Sequence, residues 1–185
     1  VDLEIGPRAA REVRALRVEE LEACRWAALA TVVETRQPAL LALAETGAVT
    51  SEIADVRVAD VDLERGVVHL PGCKSARPRT VVLSDWGIKQ VRRRCVDLGA
   101  NPATPLVYEG SGAPEARQAS VATALGRILE RAQIAGCDVT CTSFRVTAGR
   151  RVFETTNDIR AVALHLGCHT LDTAASIIGW EWATT

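Results

Sequence analysis

The chain has 185 residues, of which 48% are hydrophobic and 24% are charged, and its formal net charge at pH 7 is −1. This composition is ordinary for a globular domain and argues against nonspecific electrostatic wrapping of DNA, although a local basic surface is compatible with it. No apolar run approaches the ~20 residues of a membrane span, and the polar first residues do not resemble a signal peptide.

Helical periodicity and capping residues dominate the first third of the chain. They predict helices over residues 8–36 (one long helix or two short ones), 38–47 and 50–54. Residues 56–83 then change character, because short Val- and Leu-rich runs alternate with turn sequences. We predict there a three-stranded antiparallel sheet with a tight turn at 64–66 and a longer basic hairpin loop at 71–78.

Helices resume after the sheet. Ser84 is a favourable N-cap for a helix that runs to about Leu98, and a loop rich in Pro, Gly and Ser follows over 101–114. Four more helices are predicted at residues 115–135, 143–156, 158–166 and 171–179. The predicted fold class is therefore mainly α with a small antiparallel β-sheet, in a single domain that covers residues 1–185.

Several short motifs occur in a definite order along these elements. They are TGAVTSE (46–52) before the sheet, GCKSARPR (72–79) in its hairpin, TSFR (142–145), and LGCHTLDTAASIIGW (166–180). With these motifs the chain resembles the catalytic domain of the tyrosine recombinases, the phage-integrase family, from about residue 18 to 180. The resemblance implies the α+β fold of these DNA breaking-rejoining enzymes and a role in DNA binding, recombination or integration. The N-terminal core-binding domain of that family is not found in the 185 residues.

The chemistry that the resemblance implies uses side chains alone, without metal or other cofactor. A Tyr attacks a DNA phosphodiester, two Arg side chains hold the transition-state oxygens, a hairpin Lys protonates the leaving oxygen, and His side chains assist. Three of the family's positions are retained here as Glu52, Lys74 and Arg145. The expected contacts to double-stranded DNA are Lys74, Arg77, Arg79, Arg145 and His169.

The remaining catalytic positions hold residues that cannot do this chemistry. Val49 stands where the first Arg is expected, Thr142 replaces the His of the H-x-x-R box, and Cys168 replaces the next His or Trp. The nucleophile position falls on Ile177, or on Ile178 with a one-residue slip, and the only Tyr, Tyr108, lies in the Pro- and Gly-rich loop. Because loss of the nucleophile removes the covalent pathway, we expect a recombinase-like domain that does not cleave DNA.

Two functions remain open from the sequence. The domain either binds double-stranded DNA without cutting it, or is a protein-interaction or regulatory module that has lost DNA binding, as the acidic net charge and Val49 favour. Trp180 and Trp182 either seal the domain's own core or dock onto a second copy or an active recombinase, as C-terminal segments of the family often do.

Other charged residues and the cysteines have simpler interpretations. Glu52 is expected to be a helix-start residue that could pair with Arg145 or Arg57, and the three arginines at 92–94 are expected to be mostly solvated. Six cysteines without a CxxC pair indicate free thiols in a cytoplasmic protein. A zinc site is a weak alternative to free thiols, with the ligands Cys137, Cys141, Cys168 and His169.

Overall fold

A computed structural model describes residues 13–30, 33–99, 101–108, 110 and 112–181. The elements follow in the order α1 (Val18–Ala28), α2 (Arg36–Glu45), α3 (Thr50–Asp55), a 3₁₀ turn (Val58–Asp60), β1 (Val61–Asp62), β2 (Val67–Leu70), β3 (Arg79–Val82), α4 (Asp85–Leu98), α5 (Pro114–Arg131), α6 (Thr142–Thr156), α7 (Ile159–Leu166) and α8 (Leu171–Ile178). The predicted class, mainly helical with one small sheet, is confirmed.

The first helix is shorter than its periodicity predicts. Residues 13–17 carry no helix and α1 begins at Val18, while residues 8–12 and 31–32 of the predicted segment lie outside the described residues. Glu20 explains the start of α1, because its carboxylate accepts the Arg17 backbone N–H at 2.8 Å. A carboxylate at the third helical position satisfies a donor that has no partner within the helix.

Helix α2 is the buried centre of the domain. All seven residues from Pro38 to Ala44 are buried. A helix that is apolar on every side has to be surrounded by other elements, and α2 indeed packs against α1, α3, α4, α5 and α6. Gly47 follows the helix with a φ of 83°, which turns the chain towards α3 as the sequence predicts.

The sheet has three antiparallel strands in the order β1-β2-β3. The register of β2 and β3 runs from Val67 opposite Val82 to Leu70 opposite Arg79. Val68, Leu70 and Val81 are buried, whereas the alternate side chains face solvent. This alternation places one face of the sheet on the core, as in most antiparallel sheets with one solvated side.

The loop between β2 and β3 is held by backbone hydrogen bonds at its tip and on its returning side. Cys73 and Ala76 exchange backbone hydrogen bonds at 2.7 and 3.2 Å across its tip. On the returning side, the Arg77 backbone N–H donates to the carbonyl of Gly167 at 2.8 Å. The basic hairpin is therefore attached to the turn between α7 and α8, far away in the sequence.

The last three helices form a smaller core of their own. Val162, Leu166, Ala174 and Ile178 are at its centre, and Gly167 ends α7 with a φ of 68°. Within the described ranges, no single helix is long and apolar enough to cross a membrane; α7 and α8 pass that test only as a pair bent by 93°.

Candidate nucleic-acid interface

A cavity of about 240 Å³ opens where α3, the hairpin, α5 and α6 meet. It is lined by Ala48, Val49, Thr50, Ser51, Ser75, Gln118, Leu125, Cys141, Thr142 and Arg145. Three residues from the predicted catalytic positions thus share one cavity, namely Val49, Thr142 and Arg145. Hydroxyl, amide and thiol groups make up most of its polar lining, and among the described residues Arg145 is the one cationic side chain that lines it.

Val49 enters this cavity from the start of α3. Its backbone N–H donates to a carboxylate oxygen of Glu52 at 3.0 Å, which fixes the first turn of α3. The half-buried Val49 side chain has no donor for a phosphate oxygen. The cavity therefore lacks a cation at the position where the resemblance expects the first Arg.

Arg145 is buried, with 7% of its surface exposed. One terminal nitrogen donates to the Gly47 carbonyl at 2.7 Å, and the other donates to the Leu166 carbonyl at 2.9 Å and lies 3.8 Å from the Cys168 sulfur. Burial lowers the pKa of the guanidinium. Arg145 thus ties the ends of α2 and α7 to α6, in addition to lining the cavity.

Glu52 pairs with Arg79, so the expectation of a pair with Arg145 or Arg57 was wrong. The fully buried Glu52 carboxylate accepts from two guanidinium nitrogens of Arg79 at 2.6 and 3.1 Å. The Arg79 Nε also donates to the His165 carbonyl at 2.8 Å. Because only 7% of the Arg79 side chain is exposed, its assignment as a surface contact to DNA is corrected to a structural one.

The exposed part of the site is formed by Lys74, Arg77 and His169. Lys74 lies exposed at the hairpin tip and makes no ion pair with a described residue. The Arg77 Nε donates to Nδ1 of His169 at 3.3 Å, which links the hairpin to the turn before α8. We call these three residues the basic rim; they do not line the cavity themselves, but Ser75, next to Lys74 on the hairpin, does.

The position of the family's nucleophile is occupied by packing. Ile177 is half-buried on α8 against the smaller core and does not line the cavity. Cys168 is buried as well, and burial raises the pKa of its thiol. Tyr108 lies outside the cavity, where its hydroxyl accepts the backbone N–H of Gly112 at 3.3 Å.

The zinc alternative receives no support from the arrangement of its four residues. Cys168 contacts Arg145, His169 contacts Arg77, and Cys137 is exposed. Among the residues that the structure describes, no three His, Cys, Asp or Glu side chains are grouped so as to hold a metal ion. All six cysteines are free.

Arg94 differs from its expectation, whereas Trp180 agrees with the simpler of the two expectations for it. Arg94 is 4% exposed and its Nε donates to the Leu106 carbonyl at 2.8 Å, so the prediction of a solvated side chain was wrong there. Trp180 is half-buried, with its ring 5.9 Å from that of Phe153, and therefore packs within its own domain. Trp182 lies outside the described residues.

Sequence reasoning missed several of the lining residues. Gln118 of α5 lines the cavity although it is far in the sequence from the lining residues of α3, and no local sequence motif marks it.

Cys73, the neighbour of Lys74 on the hairpin, has a thiol with a perturbed pKa. Its burial raises the pKa of the thiol, but hydrogen bonds with Ser51 and Ser75 outweigh that effect, so the pKa lies below the ordinary value.

His165, beneath the basic rim, makes the stability of the domain depend on pH. Burial lowers its pKa, and the nearby charges of Arg79 and Arg145 lower it further, against a hydrogen bond with the Thr46 backbone. As pH falls below about 6.5, His165 binds a proton more readily in the unfolded chain than in the folded one. The free energy of unfolding therefore decreases as pH decreases through this range. We expect urea unfolding at pH 7.5 and 5.0 to show a larger loss in the wild type than in His165→Gln; equal losses would contradict this.

The chain is similar to known proteins over most of its length. The model of the phage integrase family matches residues 15–177. Among solved structures, the chain is similar to XerA recombinase, with a TM-score of 0.74 and 19% identity over 93% of this chain and 62% of that one. Comparison with curated protein sequences gives no significant match.

Two DNA complexes are similar as well. The Tn1549 transposon integrase with transposon right end DNA has a TM-score of 0.70 and 16% identity, covering 97% of this chain and 65% of that one. A lambda integrase dimer bound to a COC' core site has a TM-score of 0.66 and 15% identity, covering 97% and 52%. The chain thus spans between about half and two thirds of these proteins, and likeness at such identities shows the fold.

Proposed function

Since the chain belongs to the phage integrase family, we propose that it is a tyrosine-recombinase-like domain that binds double-stranded DNA without cleaving it. One observation carries this proposal: the basic rim stays exposed beside the cavity, while the nucleophile position, Ile177, is packed against the core. Binding of this kind requires no metal or cofactor. We place the protein in the cytoplasm as part of the proposal, since free cysteines are typical of a reducing compartment.

DNA binding is supported by the shape and charge of the basic rim. Lys74 and Arg77 extend from one rigid hairpin, and the hydrogen bond to His169 keeps the rim together. Lysine and arginine side chains bind the phosphates of a DNA backbone, and such contacts position a protein without reading sequence. The Tn1549 and lambda integrases, which share the fold, are bound to DNA in their structures.

The absence of cleavage follows from what each catalytic position contains. Ile177 has no nucleophilic atom, and Val49 cannot stabilise charge on a phosphate oxygen. Loss of one preorganised charge-stabilising donor alone slows such reactions by about 10²–10³-fold. Without the phenol, no covalent intermediate with DNA forms at this site.

A fluorescent duplex of random sequence tests the DNA-binding part of the proposal. With two cations on the rim, log K is expected to fall against log salt with a slope of about −1.8, a weakening of about twelvefold between 50 and 200 mM salt. Lys74→Ala is expected to reduce the slope to about −0.9, because one phosphate contact is lost. Lys89→Ala is the matched control, since Lys89 is the only other lysine and is exposed on α4, away from the rim.

A covalent-adduct experiment tests whether the protein cleaves DNA. A nicked duplex incubated with the protein and then denatured in SDS is expected to show no covalent adduct. An adduct that disappears in Tyr108→Phe would overturn the non-cleaving assignment. Equal effects of Lys74→Ala and Lys89→Ala would overturn the role of the rim.

A protein-interaction module is the second candidate. It is favoured by the exposed apolar side chains of Trp26 and Val33, which are 75% and 88% exposed. Large exposed aromatic residues are common at the centres of protein interfaces. Absence of DNA binding at 50 mM salt would favour this function, with a second copy or an active recombinase as the partner.

A further inference from the structure

The segment that leads into α1 is held in place by an unusual number of bonds for a stretch without secondary structure. We call residues 13–17 the strap. The Arg14 guanidinium donates to both carboxylate oxygens of Glu20 at 2.7 Å and to Asp138 at 2.8 Å. The backbone N–H of Arg14 donates to the Asp138 carbonyl at 3.0 Å as well.

The strap makes a second attachment one turn inside α6. The Leu16 N–H donates to the Thr147 hydroxyl at 2.8 Å, and that hydroxyl donates in turn to the Ser143 carbonyl at 2.7 Å. Leu16 is 6% exposed and belongs to the main core. Both ends of the strap are therefore bonded to the region where α6 begins.

The two attachments lie on either side of the segment that lines the cavity. Asp138 and Thr147 bound residues 138–147, and within that range Cys141, Thr142 and Arg145 line the cavity. The segment itself has only a few short-range bonds before α6 becomes regular, such as the Thr140 N–H to the Ser143 hydroxyl at 3.1 Å. The strap thus supplies long-range bonds to this wall, in addition to the burial of Val139 and Phe144 in the main core.

We propose that the strap is a latch that controls the shape of the cavity wall formed by residues 138–147, with Arg14 as its closing residue. Displacing the strap breaks the Arg14 bonds to Asp138 and frees residues 138–144 to move. When the strap is closed, the cavity wall is held in the arrangement seen here. The consequence of the latch for DNA affinity rests on the proposed function, whereas the coupling itself does not.

Arg14 is suited to this role by its geometry and by its charge partners. A planar guanidinium can bond two carboxylates at once, and such charge-assisted bonds are the strong ones. The side-chain hydrogen bond from Arg14 lowers the pKa of Glu20 to about 2, so the pair stays charged through the physiological range. Its neighbour Arg17 has a side chain that is 74% exposed and approaches Glu20 only at 3.5 Å.

Hydrogen exchange followed by mass spectrometry tests the latch without any ligand. Arg14→Ala is expected to accelerate exchange of the amides in residues 138–144 by about tenfold, while α2 and α8 exchange as in the wild type. Arg17→Ala is the matched control and should leave all of these rates within about twofold. Arg14→Lys, which keeps the charge but not the bidentate geometry, should give an intermediate rate, and it serves if Arg14→Ala does not fold.

The outcomes separate the latch from the proposed DNA binding. Unchanged exchange in residues 138–144, or faster exchange spread evenly over the domain, would overturn the latch. If the wild type binds the fluorescent duplex, Arg14→Ala should bind it more weakly and Arg17→Ala should not. If the wild type does not bind the duplex, DNA binding fails as a function, and the exchange rates still decide the coupling.

Discussion

Arg79→Met is expected to lower the free energy of unfolding by about 3–5 kcal/mol, which for a chain of this size is a fall in Tm of roughly 6–20 °C. The reason is the environment of Glu52, whose side chain is 0% exposed. Met fills the space of the Arg79 stem but leaves the carboxylate buried without its cation. Two of the bonds that hold Glu52, at 2.6 and 3.1 Å, are lost together.

A second variant isolates the unpaired charge as the cause. Glu52→Gln with Arg79→Met removes both charges, and it should recover a substantial part of the lost stability in urea unfolding, because an uncharged amide is much less costly to bury than a carboxylate. The surface pair Arg65–Asp62, at 3.7 Å with Arg65 83% exposed, provides the control. Arg65→Met should cost at most about 0.5 kcal/mol. A loss below about 1 kcal/mol for Arg79→Met would show that the buried pair is not critical.

The order and type of the elements could be predicted from the sequence because they depend on local signals. Ser84 caps α4 with its own side chain, which accepts the Gly87 N–H at 3.1 Å, and Gly167 ends α7 in the left-handed region that favours glycine. The start of α1 was predicted wrongly because helical periodicity carries no information about the hydrogen bonds and ion pairs that hold the strap. Those bonds join Arg14 to Asp138, 124 residues away in the sequence.

The site could be predicted in position but not in its pairings. The resemblance correctly brings Val49, Thr142 and Arg145 to one cavity, since these positions depend on the order of the elements. The partner of Glu52 depends instead on which basic side chain of the packed hairpin reaches α3. Arg77 and Arg79 are two residues apart on that hairpin. The Arg77 side chain is exposed, whereas the Arg79 side chain is buried in its ion pair with Glu52.

The same argument applies to Arg145. The motif predicts an arginine that faces phosphate, but the structure gives both terminal nitrogens carbonyl partners at the ends of α2 and α7. A residue of a catalytic motif can therefore persist because it holds helices together. Nothing in the TSFR motif distinguishes these two reasons for keeping an arginine.

Gly167→Ala is expected to cost about 2–5 kcal/mol of unfolding free energy and to weaken DNA binding at temperatures where the variant is folded. Gly167 has a φ of 68°, which an alanine adopts at a cost of about 1–2 kcal/mol. The new Cβ would also lie 2.8 Å from the Arg77 carbonyl oxygen and 3.1 Å from its nitrogen. Because these are backbone atoms of the hairpin, relief requires the hairpin to move, and overpacking of this kind costs about 1–3 kcal/mol.

Gly99→Ala separates the two parts of this cost. Gly99 has a φ of 77°, but its added Cβ meets nothing within 4 Å. The control should therefore lose only the conformational part, about 1–2 kcal/mol, and should bind the fluorescent duplex as the wild type does. The hairpin carries Lys74 and Arg77, so a shift at Gly167 moves the basic rim, whereas a change at Gly99 does not. Equal stability losses and equal DNA affinities for the two variants would show that the hairpin is not held in place by its contact with the turn before α8.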